Sequence, residues 1–246
     1  MFPIRDHNPS GRTPYVTYAL IALNVVVFLS YVSLFTDPRA LNQFFWNWAI
    51  LPARIEQGSG YETLVTSMFL HGGFMHIAGN MLFLWIFGDN LEDEMGHIPY
   101  LLFYLACGIG SGLVQVMASP GSLIPTVGAS GAIAGVMGGY LLLFPKARID
   151  ILLIIIIFFR IFTIPAWIAL AAWFALQFFA GLGSDANAGG VAYWAHVGGF
   201  VVGTVLTLPV FLRRGGQAYW HRNAFHPPHP AATYDPSRIP TIRRRK

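Results

Sequence analysis

The chain has 246 residues, of which 55% are hydrophobic and only 11% are charged. Because soluble domains carry about 25% charged residues, this composition excludes an ordinary soluble protein and predicts a polytopic membrane protein. The net charge of +4 comes mostly from the C-terminal tail. Beside a bilayer, such a tail more often sets orientation and contacts anionic lipid than binds nucleic acid. The single cysteine, Cys107, excludes a disulfide within the chain.

Six apolar runs follow one another along the chain, and we interpret each as a membrane-spanning helix. The predicted spans are residues 15–35, about 72–76 to 91, 98–117, 131–144, 161–180 and 193–212. The sequence therefore predicts an all-α membrane protein, a six-transmembrane-helix bundle whose domain covers residues 15–212.

Four other segments are predicted to lie outside these spans. Residues 1–14 contain three prolines and are predicted to be a short, unstructured cytoplasmic lead. Residues 37–60 are rich in aromatic side chains, which favours a segment in the membrane interface. Residues 88–96 are predicted to be a short polar connection, in which Glu92 bonds backbone amides. Residues 213–246 are predicted to be a basic, Pro-rich, disordered cytoplasmic tail.

The apolar run of residues 151–180 is too long for one crossing and contains Arg160. Because a charge at the bilayer centre is costly, we place Arg160 at an interface and interpret residues 151–159 as a re-entrant or surface piece. Its β-branched residues leave the local structure open. Residues 181–190 are glycine-rich and form either an ordinary loop or, with the fifth span, a movable gate.

Six spans place both termini on the same side of the membrane. On this assignment all lysines and arginines except Arg39 and Arg54 fall on that side. The positive-inside rule therefore predicts that both termini are cytoplasmic. A compact core without appended domains fits a multi-pass protein of a bacterial inner membrane.

A serine between small residues opens the fourth predicted span. In Val127-Gly-Ala-Ser-Gly131, the glycines leave backbone amides uncovered beside Ser130, where a helix N-terminus stabilises negative charge. Spans two, four and six all enter from the outer side, so His76, Asn80, Ser130 and His196 converge at one depth. Ser130 lies roughly 21 Å above the inner boundary of a hydrocarbon core roughly 30 Å thick, which is inside the membrane.

Small residues recur at helical spacing on two of these spans. They are Gly131, Gly135 and Gly139 on the fourth span and Gly199 and Gly203 on the sixth. Such stripes let two helices approach closely. Because His196 lies one turn before Gly199, we expect its ring to face Ser130.

These residue types suit peptide-bond cleavage by an activated serine. His196 can take the hydroxyl proton of Ser130. Candidate donors to the oxyanion are His76, Asn80 and the backbone at Gly128 and Ser130, each worth about 3–4 kcal/mol in the transition state. Because we place no acidic residue inside the six spans, the sequence predicts a Ser–His dyad rather than a triad.

The same polar residues have other interpretations. His76 and Asn80 could instead form interhelical hydrogen bonds that hold the second span in place. The histidines 71, 76 and 196 could suggest zinc, but the chain contains no His-Glu-x-x-His pattern and no carboxylate at that depth. We therefore expect neither a metal nor any other cofactor. His71 is more simply a structural residue of the first loop.

Three stretches, in order and at compatible spacing, resemble the rhomboid family of intramembrane serine proteases. They are Thr66-Ser-Met-Phe-Leu-His-Gly-Gly-Phe-Met-His76 leading into Asn80, Gly128-Ala-Ser-Gly131, and Ala195-His-Val-Gly-Gly-Phe200. The segment from Gly88 to Gly96 is similar to the family's connection between spans two and three.

The resemblance implies a nucleophilic Ser130, a basic His196, and an oxyanion site with His76 and Asn80. It also implies single-span membrane proteins as substrates, cleaved within the lipid bilayer near the outer ends of their helices, and no nucleic-acid partner.

Two positions depart from the family pattern. Many members have Trp-Arg where this chain has Tyr61-Glu62, so the first loop is expected to anchor differently. Some members have an aromatic residue that stacks on the catalytic histidine where this chain has Ala134, and Trp194 is our candidate replacement.

Two alternatives to a protease are a scaffold that binds membrane helices and a small-solute channel. The retained serine and histidine disfavour the scaffold, and the lack of an internal repeat disfavours the channel.

Overall fold

The computed structural model describes residues 2–8, 10–155, 158–185 and 189–228. Helices dominate these residues, and three short strands accompany them. The helices are α1 (Tyr15–Tyr31), α2 (Pro38–Trp48), α3 (Pro52–Glu56), α4 (Thr63–Thr66), α5 (Phe74–Met95), α6 (His97–Ala118), α7 (Ser130–Leu143), α8 (Ala166–Leu182), α9 (Tyr193–Arg213) and α10 (Gln217–Arg222). The strands are β1 (Phe2–Asp6), β2 (Arg148–Ile155) and β3 (Phe158–Pro165).

The long apolar helices show a multi-pass integral membrane protein. Three helices of the described residues are long and apolar enough to cross a bilayer: α1 with the 3₁₀ turn that extends it to Thr36, α6, and α9. A fourth candidate pairs Thr63–Phe69 with α5 across a bend of 96°. Helices α7 and α8 are apolar but have only 14 and 17 residues, short of the roughly 20 that a membrane core requires. Six helices overlap the six predicted spans, while six membrane crossings stay a prediction.

Helix α7 lies at the centre of the bundle, and 11 of its 14 residues are buried. Its glycines allow α9 to lie directly against it. A Cβ added to Gly199 would overlap the carbonyl oxygen of Gly131, and one added to Gly203 would overlap that of Gly135. The predicted glycine stripes therefore bring the two helix backbones into contact.

The predicted helical fold is confirmed in its main part, but the fold is not all-α, because the chain also builds a three-stranded antiparallel sheet in the order β1-β2-β3. Residues 2–6, predicted as unstructured, pair with β2 from Phe2↔Leu152 to Asp6↔Ile149. The predicted fifth span begins too early, because Ile161–Pro165 continues β3 and α8 starts at Ala166. Isoleucine-rich stretches suit a pleated strand, and here this preference outweighs their hydropathy.

A buried carboxylate holds the three strands together. Asp150 is 1% exposed and accepts hydrogen bonds from Arg5 Nε at 2.6 Å, His7 Nε2 at 2.8 Å and Thr163 Oγ1 at 2.6 Å. Burial by itself would raise the pKa of Asp150, but the bonds from Thr163, His7 and Arg5 outweigh it and lower the pKa to about 2. The carboxylate therefore stays charged and links β1, β2 and β3.

The predicted polar connection of residues 88–96 is mostly helical, because α5 continues to Met95 and only Gly96, at φ +82°, separates it from α6. Four acidic residues thus lie within the last two turns of α5, and the helix continues past residue 91, the predicted end of the second span. Glu92 does accept bonds from backbone amides, but these are Val16 and Thr17 at the start of α1, both at 2.8 Å. It serves as a remote N-cap for that helix.

Two more of the segments that were predicted to lie outside the spans contain helices. Asp37 accepts bonds from the amides of Arg39 and Ala40 and so starts α2 within the first loop, whose location in the membrane interface stays a prediction. After α9 the chain forms α10, whose Trp220 donates its indole N–H to the carbonyl of Leu142 at 2.9 Å. The prediction of disorder is therefore wrong for residues 213–228, and its remainder, 229–246, lies outside the described residues.

Candidate active site

Ser130 is the first residue of α7, and the turn before it is fixed by glycine. Gly128 has φ +131°, a conformation that L side chains rarely adopt. Its amide donates to the carbonyl of Ser67 at 3.0 Å. This bond fixes the approach to α7, and it corrects the prediction that the Gly128 amide is uncovered for an oxyanion.

The catalytic pair predicted from the sequence is within hydrogen-bonding distance. His196 lies in the first turn of α9, and its Nε2 is 2.8 Å from the Oγ of Ser130. The other ring nitrogen, Nδ1, is 2.7 Å from Oε1 of Gln177 on α8. The close packing of α7 on α9 brings these helix starts together. A serine that contacts a histidine, itself held by a third group, is the arrangement of an activated nucleophile.

Gln177 was not predicted from the sequence, and Trp194 was the wrong prediction for the aromatic neighbour of His196. Gln177 is the only amide in the apolar sequence of α8, and this isolation was the available signal. The ring of Trp173 lies 5.7 Å from that of His196, centroid to centroid. Trp194, predicted for this position, instead packs against Phe178 at 5.9 Å.

His76 and Asn80 lie one turn apart at the start of α5. The amide of Gly72 donates to Nδ1 of His76 at 3.2 Å, so Nε2 of that ring carries the proton. A Cβ on Gly128 would lie 2.9 Å from this Nε2 and 3.4 Å from the Oγ of Ser130, which places both atoms beside the same small residue. Asn80 donates to the carbonyl of His76 at 2.8 Å, which uses one of its two amide hydrogens.

All four predicted side chains line one cavity of about 1000 Å³. Trp173 and the rim carboxylate Asp185 line it as well. His71 is buried behind His76, with ring centroids 5.1 Å apart, and does not line the cavity. Within the described residues, no three histidine, cysteine or acidic side chains are grouped to hold a metal ion.

Fold and site together define a multi-pass membrane protein with a Ser–His pair in a cavity between its helices. The family model of the Rhomboid domain matches residues 58–213, so the chain belongs to the rhomboid family.

Three curated relatives illustrate the similarity. Rhomboid protein 1, mitochondrial, of Saccharomyces cerevisiae is 30% identical over 200 residues, covering 77% of this chain and 51% of the relative. Rhomboid protease GluP of Bacillus subtilis is 37% identical over 130 residues, covering 52% and 24%. Presenilin-associated rhomboid-like protein, mitochondrial, of Mus musculus is 30% identical over 148 residues, covering 57% and 36%. The chain thus spans about half the length of the yeast relative and less of the others.

These relatives do not support the predicted bacterial inner membrane, because several are named for mitochondria. Integral, multi-pass membrane insertion is the part of that prediction that the helices and the family bear out.

Proposed function

We propose that the chain is an intramembrane serine endopeptidase that cleaves membrane-spanning segments with a Ser130–His196 dyad. The observation that carries this proposal is the 2.8 Å contact between Ser130 Oγ and His196 Nε2 inside the cavity. Membership of the rhomboid family supports it, as does similarity to a relative that is named as a protease, GluP of Bacillus subtilis.

The geometry supports a two-stage mechanism. In the first stage His196 Nε2 takes the proton of Ser130, and Oγ attacks the peptide carbonyl carbon. His196 then gives that proton to the leaving amine, and an acyl-enzyme remains on Ser130. In the second stage water attacks the ester carbonyl while His196 takes one of its protons. That proton returns to Oγ as the ester bond breaks, which releases the carboxylic acid and restores the hydroxyl.

The developing oxyanion needs donors that are in place before the reaction. We assign this role to Nε2–H of His76, to the remaining amide hydrogen of Asn80 and to the backbone N–H of Ser130. The Gly72 bond to Nδ1 supports His76, because it leaves the Nε2 proton facing the Gly128 turn.

The proposal includes six crossings with both termini in the cytoplasm. Helices α7 and α9 start at the cavity, and α7 ends next to the sheet, so cavity and sheet lie at opposite ends of α7. Arg5 and Arg148 belong to the sheet, and the positive-inside rule favours the cytoplasmic side for that end. The cavity then opens to the outer side. Single-span membrane proteins in the bilayer are the proposed substrates, and no nucleic acid takes part.

Labelling with a fluorophosphonate probe tests the proposal. The wild-type protein in detergent should label, and Ser130→Ala and His196→Ala should lower the rate at least roughly a thousandfold. Ser30→Ala is the matched control, because that hydroxyl is exposed on α1 and bonds a carbonyl of its own helix. The same variants should follow the same order in cleaving a single-span model protein in liposomes. A folded wild-type protein that neither labels nor cleaves would refute the protease and favour the scaffold.

A further inference from the structure

One polar side chain on a peripheral helix reaches the base of the proposed dyad. Only three of the 17 residues of α8 are buried, namely Ala166, Leu170 and Gly181. Gln177 is half-buried and directs its Oε1 to Nδ1 of His196, 2.7 Å away. Its neighbours on the outer surface, Leu176 and Phe179, are 68% and 69% exposed. The amide is thus the polar contact of α8 with the proposed dyad, and the ring of Trp173 on the same helix lies beside it.

We propose that Gln177 is a positioning residue that holds His196 in the tautomer able to accept the Ser130 proton, and that it does so only while α8 lies against α9. The catalytic meaning of this inference rests on the proposed function.

The tautomer argument follows from the two bonds of the ring. His196 can take a proton at Nε2 only if that nitrogen carries none, so the ring proton must lie on Nδ1. A proton on Nδ1 away from water needs an acceptor, and Oε1 of Gln177 is the one at hydrogen-bonding distance. Within the described residues, the titratable side chains that line the cavity together with His196 are His76 on α5, Tyr193 on α9 and Asp185. The acceptor of the Nδ1 proton, Gln177, is a side-chain amide and carries no charge.

The dependence on α8 follows from how that helix is held. Its contact with α9 includes aromatic pairs on either side of Gln177: Phe174 with Phe200 at 4.8 Å between centroids, and Phe178 with Trp194 at 5.9 Å. These pairs flank the Gln177 side chain along α8. If α8 moves away from α9, the acceptor moves with it, and His196 can turn or take the other tautomer. The base is then competent only when α8 is in place.

Three substitutions at Gln177 test the positioning role by the rate of fluorophosphonate labelling as a function of pH. Gln177→Leu removes the acceptor and should slow labelling about tenfold, with a lower kcat and an unchanged KM for a membrane substrate. Gln177→Asn keeps the amide on a shorter arm and should recover part of the rate. Gln177→Glu restores an acceptor, and because a carboxylate favours the imidazolium, the acid limb of its profile should move to higher pH. The control Leu176→Ala, on the exposed side of α8, should match wild type.

A double-mutant cycle tests the dependence on α8. Phe174→Ala weakens the packing of α8 on α9 without touching His196 and should slow labelling several-fold. In the Gln177→Leu background it should have no further effect, because the bond through which it acts is already absent. Effects that multiply independently would overturn the dependence on α8.

Nitrogen-15 NMR of labelled histidine separates this inference from the proposed function. The His196 signal, identified by its loss in His196→Ala, should show a proton on Nδ1 in the wild-type protein and a mixture of tautomers in Gln177→Leu. If this holds while the wild type does not label, the protease proposal fails and the positioning role stands. If Gln177→Leu keeps the wild-type signal and labelling rate, the inference fails whether or not the protein is a protease.

Discussion

Helices α7 and α8 both contribute to the candidate site, and their surroundings are opposite. In α7, 11 of 14 residues are buried, and its glycines lie against the backbone of α9. In α8, 3 of 17 residues are buried, and large apolar side chains face outward. The comparison teaches that the proposed nucleophile is fixed by the tightest packing in the bundle. Gln177, which we propose orients His196, lies on α8, and a displacement of α8 would disrupt fewer buried contacts than one of α7.

The largest effect is expected from a side chain forced between α7 and α9. Gly203→Val should abolish the folded state or cost more than about 3 kcal/mol in the free energy of unfolding, because its Cβ would overlap the backbone of Gly135. The matched change after α8 is Gly183→Val, whose Cβ would be 3.9 Å from the nearest atom, the carbonyl oxygen of Ala180. Unfolding in mixed detergent micelles, followed by tryptophan fluorescence, measures both. Equal losses would break the contrast between the two helices.

A smaller effect is expected from one substitution made at the last residue of each helix. Leu143→Ala in α7 removes a side chain that is 0% exposed and should cost about 2–4 kcal/mol. Leu182→Ala in α8 changes a side chain that is 62% exposed and should stay within about 0.5 kcal/mol. The same unfolding assay compares them directly. A Leu182→Ala loss as large as that of Leu143→Ala would show that α8 is packed more firmly than its exposure indicates.

The smallest effect concerns the sheet that precedes α8. Asp150→Asn removes the charge that Arg5 and His7 contact and should cost about 1–2 kcal/mol at neutral pH. The folded-state pKa of Asp150 is lowered to about 2, from an ordinary 3.8. Its contribution is therefore fully present above about pH 4 and is lost as the pH falls towards 2. The free energy of unfolding, measured as a function of pH, should fall between about pH 4 and pH 2 in the wild-type protein and not in Asp150→Asn. The same fall in Asp150→Asn would assign the pH dependence to another group.

The sequence predicted the parts of the molecule that depend on hydropathy and small-residue spacing. The six apolar helices, the contact of α7 with α9 and the meeting of Ser130 with His196 all follow from periodic patterns along single helices. The predicted participation of His76 and Asn80 in an oxyanion site stays a prediction.

What the sequence did not predict depends on contacts between distant segments. Hydropathy describes the Ile-rich β2 and β3 as membrane-like, yet pairing with β1 makes them a sheet. The partner of Nδ1 in His196 comes from another helix, 19 residues earlier. Asp150 becomes a strand anchor only when Arg5 and His7 reach it from the start of the chain. No local pattern carries such information.

The order of the strands has a consequence for how the protein is made. Strand β1 leaves the ribosome before its partner β2, which begins at Arg148 and follows four of the six main apolar helices, α1, α5, α6 and α7. The backbone N–H and C=O groups of β1 therefore stay bonded to water or to a chaperone while α1, α5, α6 and α7 enter the membrane. Closing this contact between distant parts of the chain is a late and slow event of folding. Removal of residues 2–6 should therefore leave membrane insertion unchanged and affect only the final locking of the hairpin that leads into α8.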